Sequence, residues 1–272
     1  MDYLLDRSAD ILKKVTARYL FVFLDFDGTL APIAQTPSEA AIPEQAKQVI
    51  KELSELAHCK VAVISGRALE DIKSKVGLNN IIYAGNHGLE LEGPKIKFKS
   101  PVTSRYKDML GKIKDELQEK LSGIKGVFFE DKRVSFALHY RLAEPKDVLR
   151  IKSAFHETVI VYLAGNKITI KEGKMVFEVR PPVEWDKGKI IMWLLARQRF
   201  GWKREEIFPI YIGDDLTDED AFKAIGRKGL TIFVGTAGRS CAQYYLRDVG
   251  EVSDFLKMIL CDIKRGNSCP KH

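Results

Sequence analysis

Five short apolar runs constrain this 272-residue chain more than any other feature. They are "LFVFLD" (20–25), "KVAVIS" (60–65), "IIYAG" (81–85), "IFPIYIGDD" (207–215) and "LTIFVG" (230–235). Each is too short for a helix and too uniformly apolar for a half-exposed strand, so each reads as a strand buried on both faces. Helical patterns separate them. "PEQAKQVIKELSELA" (43–57) places Val49, Ile50, Leu53 and Leu56 on one face, with Pro in its first turn. "ALEDIKSKVG" (68–77) ends on Gly77, and "DKGKIIMWLLARQRF" (186–200), "TDEDAFKAI" (217–225) and 252–263 are also helical. Strand alternating with helix predicts right-handed crossovers in a parallel α/β sheet covered on both faces.

Between the third and fourth runs the pattern changes. "LELEGPKIKFK" (89–99) alternates by twos around Gly93-Pro94, a hairpin signal. A helix follows over 103–122, with Met109, Leu110, Ile113, Leu117 and Leu121 near one face. "VFFEDKRVSFALHYR" (127–141) holds two strands around 130–133, and 143–158 is helical, with Pro145 near its start. "VIVYLAGNKITI" (159–170) and "KMVFEVRP" (174–181) supply further strands, linked at Gly165-Asn166 and Glu172-Gly173. Consecutive strands on short turns imply an antiparallel sheet with helices on one face. The expected organisation is one core, 1–102 plus 182–272, interrupted by an α+β insert at 103–181. Thr103 and Pro181-Pro182 are the expected hinge neighbourhoods.

The formal charge is +7, and the insert carries 16 Lys/Arg against 11 Asp/Glu, a net +5. That excess is either a solvated basic surface or a face that meets an anionic ligand. No block of five or more like charges occurs, which weighs against nucleic acid. The longest apolar run near the N-terminus, 19–24, is too short for a signal-peptide core or a membrane span, so a cytoplasmic protein without membrane partners is expected. Cys59, Cys241, Cys261 and Cys269 show no CxxC spacing, and free thiols are expected.

Ligands of open α/β sheets bind beyond the carboxyl ends of the strands. The first strand delivers Asp25 and Asp27 there, the second Ser65-Gly66-Arg67, and the third Gly85-Asn86-His87. The strand after the insert delivers Gly213, Asp214 and Asp215, with Asp218 and Glu219 just beyond. Lys187 opens the helix after the insert. So many carboxylates at one edge need a counter-charge, and hard oxygen ligands suit Mg²⁺. Asp218 alone could be a helix cap. That explanation does not cover Asp25, Asp27 and Asp214 together. Ser65 either holds a phosphate with nearby N–H groups or caps the next helix. Lys187 either neutralises a carboxylate and a phosphate or lies on the surface.

With these residues in view, the chain resembles the haloacid dehalogenase (HAD) superfamily of phosphohydrolases. "DFDGTL" (25–30), Ser65, the Lys of "DKGK" (186–189) and "GDDLTDED" (213–220) carry the resemblance. It narrows to the trehalose-6-phosphate phosphatase family through "YAGNHGLEL" (83–91), "FEDKRVSFALHYR" (129–141) and "FEVRPPVEWDKGK" (177–189). It implies a Rossmannoid core with an inserted type-2 (C2B) cap, and a sugar phosphate as the small-molecule partner of a chain expected to be monomeric. On that pattern Asp25 attacks phosphorus and Asp27 serves as acid and then base. Asp25, Asp214 and the Asp27 carbonyl hold Mg²⁺, with Asp218, and in a looser role Asp215, at one remove. Thr29, Ser65, Gly66 and Lys187 steady the phosphate. Arg67, Glu130, Lys132, His139, Arg141, Glu178 and Arg180 meet the substrate; the cap residues among them otherwise form a surface salt-bridge lattice. Glu178 and Arg180 share strand parity, as do His139 and Arg141. His87 either contacts substrate or caps a turn. The competing expectations are a phosphatase of sucrose phosphate or mannosyl-3-phosphoglycerate, or a catalytically silent regulatory subunit of a trehalose synthase.

Overall fold

The computed structural model describes all residues except 16–17, 100–103, 133, 183–185, 203–206 and 268–272, so Thr103 and Cys269 lie outside the described residues. The chain divides into two compact units, Met1–Phe98 with Trp185–His272, and Lys99–Glu184. The first unit begins with β1 (Asp2–Tyr3) and α1 (Ser8–Val15). It then alternates β2 (Tyr19–Leu24), α2 (Glu44–Glu55), β3 (Cys59–Ile64), α3 (Leu69–Val76) and β4 (Ile82–Gly85). The hairpin strands β5 (Glu90–Gly93) and β6 (Ile96–Lys99) follow. The second unit holds α4 (Ser104–Leu121), β7 (Phe128–Asp131), β8 (Phe136–His139), α5 (Val148–Ala164), β9 (Thr169–Gly173) and β10 (Val176–Arg180). The first unit resumes with α6 (Lys187–Trp202), β11 (Ile207–Gly213), α7 (Glu219–Ile225), β12 (Leu230–Val234), β13 (Tyr244–Leu246) and α8 (Val249–Asn267).

The strand order of the large sheet is β1-β13-β12-β11-β2-β3-β4-β5-β6. Every pair from β1 to β4 is parallel, and β5 turns antiparallel to β4. The chain leaves β2 toward β3 and returns to β11 on the opposite side of β2. This reversal opens a crevice at the carboxyl ends of β2 and β11. The residues of β2 split cleanly between the faces. Leu20, Val22 and Leu24 pack with α1, α2, α3 and α8, whereas Phe21 and Phe23 pack with α6 and α7. A strand covered on both faces needs no polar alternation, which is why its sequence is apolar throughout. No helix among the described residues is long and apolar enough to cross a membrane. Cys59, Cys241 and Cys261 are free thiols.

In the second unit the sheet order is β7-β8-β10-β9, antiparallel throughout. Phe136, Leu138, Phe177 and Val179 form one core with Leu110, Ile113, Leu117 and Leu121 of α4 and Ile151, Phe155 and Val159 of α5. Both helices therefore cover the same face.

Four expectations need correction. Residues 159–164 are not a strand but the last turns of α5. Their β-branched composition suggested a strand, yet Ile151, Phe155 and Val159 continue a spacing of four, and Ile160 and Val161 point to solvent. Gly165-Asn166, with Asn166 left-handed, thus ends a helix rather than linking two strands. The turn between β9 and β10 falls at 174–175, with Met175 left-handed, not at Glu172-Gly173, which remain paired in the ladder. His139 ends β8, so Arg141 stands beyond the strand, exposed, and the parity argument does not reach it. The short strands β1 and β13 were not foreseen, because two or three residues carry no readable period.

Candidate active site

The site is built on β2 and β11. Leu24 stands opposite Ile212 in the parallel ladder, and the Asp25 N–H donates to the Ile212 carbonyl at 3.0 Å. The next residue on each side of this pair is a carboxylate or leads to one, so Asp25 and Asp214 emerge side by side. Phe26 then drops into the core while Asp25 and Asp27 straddle it. The chain turns at once. The N–H groups of Leu30 and Ala31 close onto the Phe26 carbonyl at 2.9 Å, and Gly28 adopts φ 84°. Gly28 has a second reason to be glycine: a β-carbon there would lie 2.0 Å from Asp214 Oδ2. The carboxylate of Asp214 rests on the bare backbone of Gly28.

Gly213 plays the same part for Asp218, whose Cγ would lie 2.3 Å from an added β-carbon. Asp218 sits at the N-cap position of α7 but makes no side-chain cap. Its carboxylate turns inward instead. Oδ2 accepts the N–H groups of Asp214 and Asp215, both at 2.9 Å. Oδ1 accepts Lys187 Nζ at 2.6 Å and the Tyr211 hydroxyl at 2.5 Å. Lys187, 3 % exposed, also donates to Asp25 Oδ1 at 2.6 Å. It is not a surface lysine. Tyr211 escaped the sequence reading, although a tyrosine in the buried run "IFPIYIG" signals a hydroxyl that must find a partner. Asp215 accepts the Thr217 N–H and hydroxyl at 2.7 and 2.6 Å.

Asp25, Asp214 and Asp218 each offer an oxygen within 4.8 Å of the others. Four carboxylates thus face one ammonium, and the charges show the strain. Burial, opposed by Lys187, raises Asp25 well above the usual carboxylate range, and Asp218 and Asp214 push the same way. Burial with Asp218 and Asp215 lifts Asp214 to about 7. Asp218 is also raised, by burial first. Asp215 reaches solvent; partial desolvation raises it, but Lys187 and the Thr217 bonds outweigh that and hold it below the usual range. Lys187 loses ground to burial but is raised on balance by Asp218 and Asp25. Hard oxygens, clustered and short of positive charge, suit a divalent cation. Asp218 has all its acceptor positions filled, so Asp25 and Asp214 are the carboxylates with capacity for it.

Around this cluster Thr29 is fully buried, and its Oγ1 has no hydrogen-bond partner among the described residues. Ser65, at the end of β3, caps no helix; its Oγ accepts the Arg67 N–H at 3.1 Å. Gly66 lies in the same turn. The Arg67 guanidinium is forked onto Asp27, with Nε to Oδ2 at 2.8 Å and Nη2 to Oδ1 at 2.6 Å. His87 lies in the turn Asn86–Gly88, and its side chain is outside the described residues.

In the second unit, the face of the sheet turned away from the helices gathers the other expected residues. The ladder sets Glu130 and Glu178 on either side of Ala137, and His139 between Phe128 and Val176. His139 Nε2 lies 2.8 Å from Glu130 Oε2, and its ring stacks on Phe128 with centroids 4.5 Å apart. Glu178 meets Lys132 at 3.2 Å and Arg180 at 3.0 Å. Lys132 and Glu178 are both buried, which a merely solvated lattice does not require.

This arrangement is matched in known proteins. The family described as Trehalose-phosphatase matches residues 23–249. Trehalose-phosphate phosphatase from Mycobacterium marinum is 38% identical over 216 residues, 78% of this chain and 53% of that protein. Trehalose-phosphate phosphatase B from Arabidopsis thaliana is 30% identical over 264 residues, 92% of this chain and 69% of that protein. A solved trehalose-6-phosphate phosphatase related protein superposes with a TM-score of 0.76 at 25% identity, covering 92% of this chain and all of that one. The α/β core is the HAD-like fold, shared also with a haloacid dehalogenase-like hydrolase. From fold, site and sequence together, the chain belongs to the trehalose-phosphatase family.

Proposed function

We propose that this chain hydrolyses trehalose 6-phosphate to trehalose and phosphate through an aspartyl-phosphate on Asp25. The observation that carries the reading is the cluster of Asp25, Asp214 and Asp218 beside Lys187, in which Asp25, Asp218 and Lys187 are buried and Asp214 half-buried. In this reading Asp25 attacks phosphorus, and Lys187 steadies both the attacking carboxylate and the transferred oxygens. Asp27, more exposed and on the same side of the turn, gives a proton to the departing sugar oxygen and then takes one from the attacking water. Thr29 and Ser65 supply hydroxyls for the phosphoryl oxygens. Asp25, Asp214 and the Asp27 carbonyl hold Mg²⁺, and Asp218 fixes the Asp214 loop and Lys187. The bound ion supplies Lewis-acid neutralisation of charge on the phosphoryl group.

The sugar-reading part belongs, in this proposal, to the second unit as an inserted cap. Glu130, Lys132, His139, Glu178 and Arg180 form a preset array of polar and charged groups that can take sugar hydroxyls in paired hydrogen bonds. Arg141 stands at its margin. Phosphate release from a panel of trehalose, sucrose, glucose and mannosylglycerate phosphates, with and without Mg²⁺, tests the reading. Trehalose 6-phosphate is expected to lead by at least about tenfold in kcat/KM. A faster alternative sugar would overturn the substrate assignment, and no Mg²⁺-dependent release from any of them would point to a silent regulatory chain.

Gly28→Ala tests the geometry rather than the chemistry. Its β-carbon cannot coexist with Asp214 as placed, and φ 84° strains any L side chain. Turnover is expected to fall by about 10² or more, since displacements near 1 Å have that effect at a preorganised site. Activity within threefold of the parent would show that Asp214 need not sit where it does.

A further inference from the structure

Arg67 is held more completely than an arginine that only meets substrate needs to be. Its side chain is 6% exposed. Nη1 donates to Asp71 Oδ2 at 2.9 Å and to the Pro37 carbonyl at 2.7 Å. The Phe26 ring lies 5.3 Å from the guanidinium carbon. The backbone is fixed as well, with Arg67 N–H on Ser65 Oγ at 3.1 Å and the Arg67 carbonyl taking the Asn86 N–H at 2.7 Å. Three separate segments, those of Asp71, Pro37 and Phe26, thus immobilise this guanidinium. Among the described residues the remaining edge, Nε and Nη2, meets Asp27 alone.

Asp27 presents the opposite case. Its side chain is 44% exposed and lies beyond the end of β2 in a tight turn. Among the described residues its carboxylate bonds only to Arg67. A lone exposed aspartate would sample several rotamers, whereas a two-point fork defines the plane and direction of the carboxylate. Anchoring of Arg67 itself needs only Asp71, Pro37 and Phe26, so the fork onto Asp27 adds nothing that those contacts lack. Its consequence falls on Asp27.

We propose that Arg67 is a positioning residue that aims the Asp27 carboxylate for proton transfer to the leaving oxygen, with Asp71 and the Pro37 carbonyl fixing Arg67 in turn. The inference rests on the reading of Asp27 as acid and base.

The test compares leaving groups in single turnovers with Mg²⁺ present. A sugar phosphate releases a poor leaving group that needs a proton, whereas an aryl phosphate with an acidic phenol does not. Arg67→Lys keeps the charge but not the fork. Its rate of alcohol release from trehalose 6-phosphate is expected to fall 10- to 100-fold further than its rate of phenol release. Asp71→Asn, which leaves Arg67 and Asp27 in place, is expected to show the same selectivity at smaller size. It carries the test alone if Arg67→Lys does not fold. Equal loss on both substrates, or loss on neither, overturns the inference. Asp27→Asn is the reference. If it too fails to discriminate between the leaving groups, the acid role of Asp27 falls and the inference with it; if it discriminates and the other variants do not, the inference fails by itself.

Discussion

Asp25→Asn is expected to lower turnover by about 10⁴ or more while leaving the metal-free protein as stable as before, or more so. The two halves of this result come from one cause. Asp25 is buried beside Asp214 and Asp218, and burial raises it well above the usual carboxylate range. At neutral pH its charge is therefore a cost to the fold. Asparagine has nearly the same shape, and its carbonyl still accepts the Lys187 bond now made at 2.6 Å. Lys187 also keeps Asp218. Removing one negative charge from the cluster relieves repulsion, and each 1 kcal/mol gained raises Tm by about 2–4 °C in a chain of this size. What is lost is the only atom able to bond to phosphorus from this position, so no covalent phosphoenzyme forms. Phosphate release and differential scanning calorimetry read the two halves separately. Residual turnover within tenfold of the parent would remove Asp25 from the nucleophile's role. A Tm drop of several degrees would show that its charge holds the fold together.

The core was legible because its strands are buried on both faces, so that composition alone marks them. Even the carboxylate cluster could be placed, since each strand ends just before its functional residue and the crossover rule fixes which ends converge. The failures have equally definite causes. Residues 159–164 have the composition of a strand and the spacing of a helix, and the spacing won because Val159 reaches the same core as Phe155. Tyr211 was invisible as a partner of Asp218, since a tyrosine in an apolar strand reads first as packing. The fork of Arg67 onto Asp27 joins residues 40 apart in the chain, and no local pattern announces it. Asp218 looked like a cap because it stands at the N-cap position of a helix; only the path of the chain through Gly213 lets its carboxylate turn back.

The same cluster makes the effects of pH and metal oppose one another. In the metal-free protein Asp214 titrates near 7, against 3.8 for an ordinary aspartate, because burial and the neighbouring Asp218 and Asp215 disfavour its charge. Between those values the unfolded chain has released a proton that the folded chain keeps, so stability falls as pH rises from about 4 to 7. Asp25 and Asp218 are raised too and act in the same direction. Asp215 is lowered and acts in the other, its contribution already present above pH 4. Lys187 stays charged throughout the window. A divalent ion opposes that slope. It must displace the Asp214 proton below pH 7, so its apparent affinity is expected to drop about tenfold per pH unit there. With Mg²⁺ at 100 times its dissociation constant at pH 8, the fold gains about 2.7 kcal/mol, and at pH 6 about half that. Thermal melts at pH 5, 6, 7 and 8, each with chelator and with Mg²⁺, should therefore give curves that diverge as pH rises. Turnover should vanish with chelator at every pH. Parallel melting curves, or a Mg²⁺ shift that grows toward acid, would mean that these carboxylates are not where the ion binds.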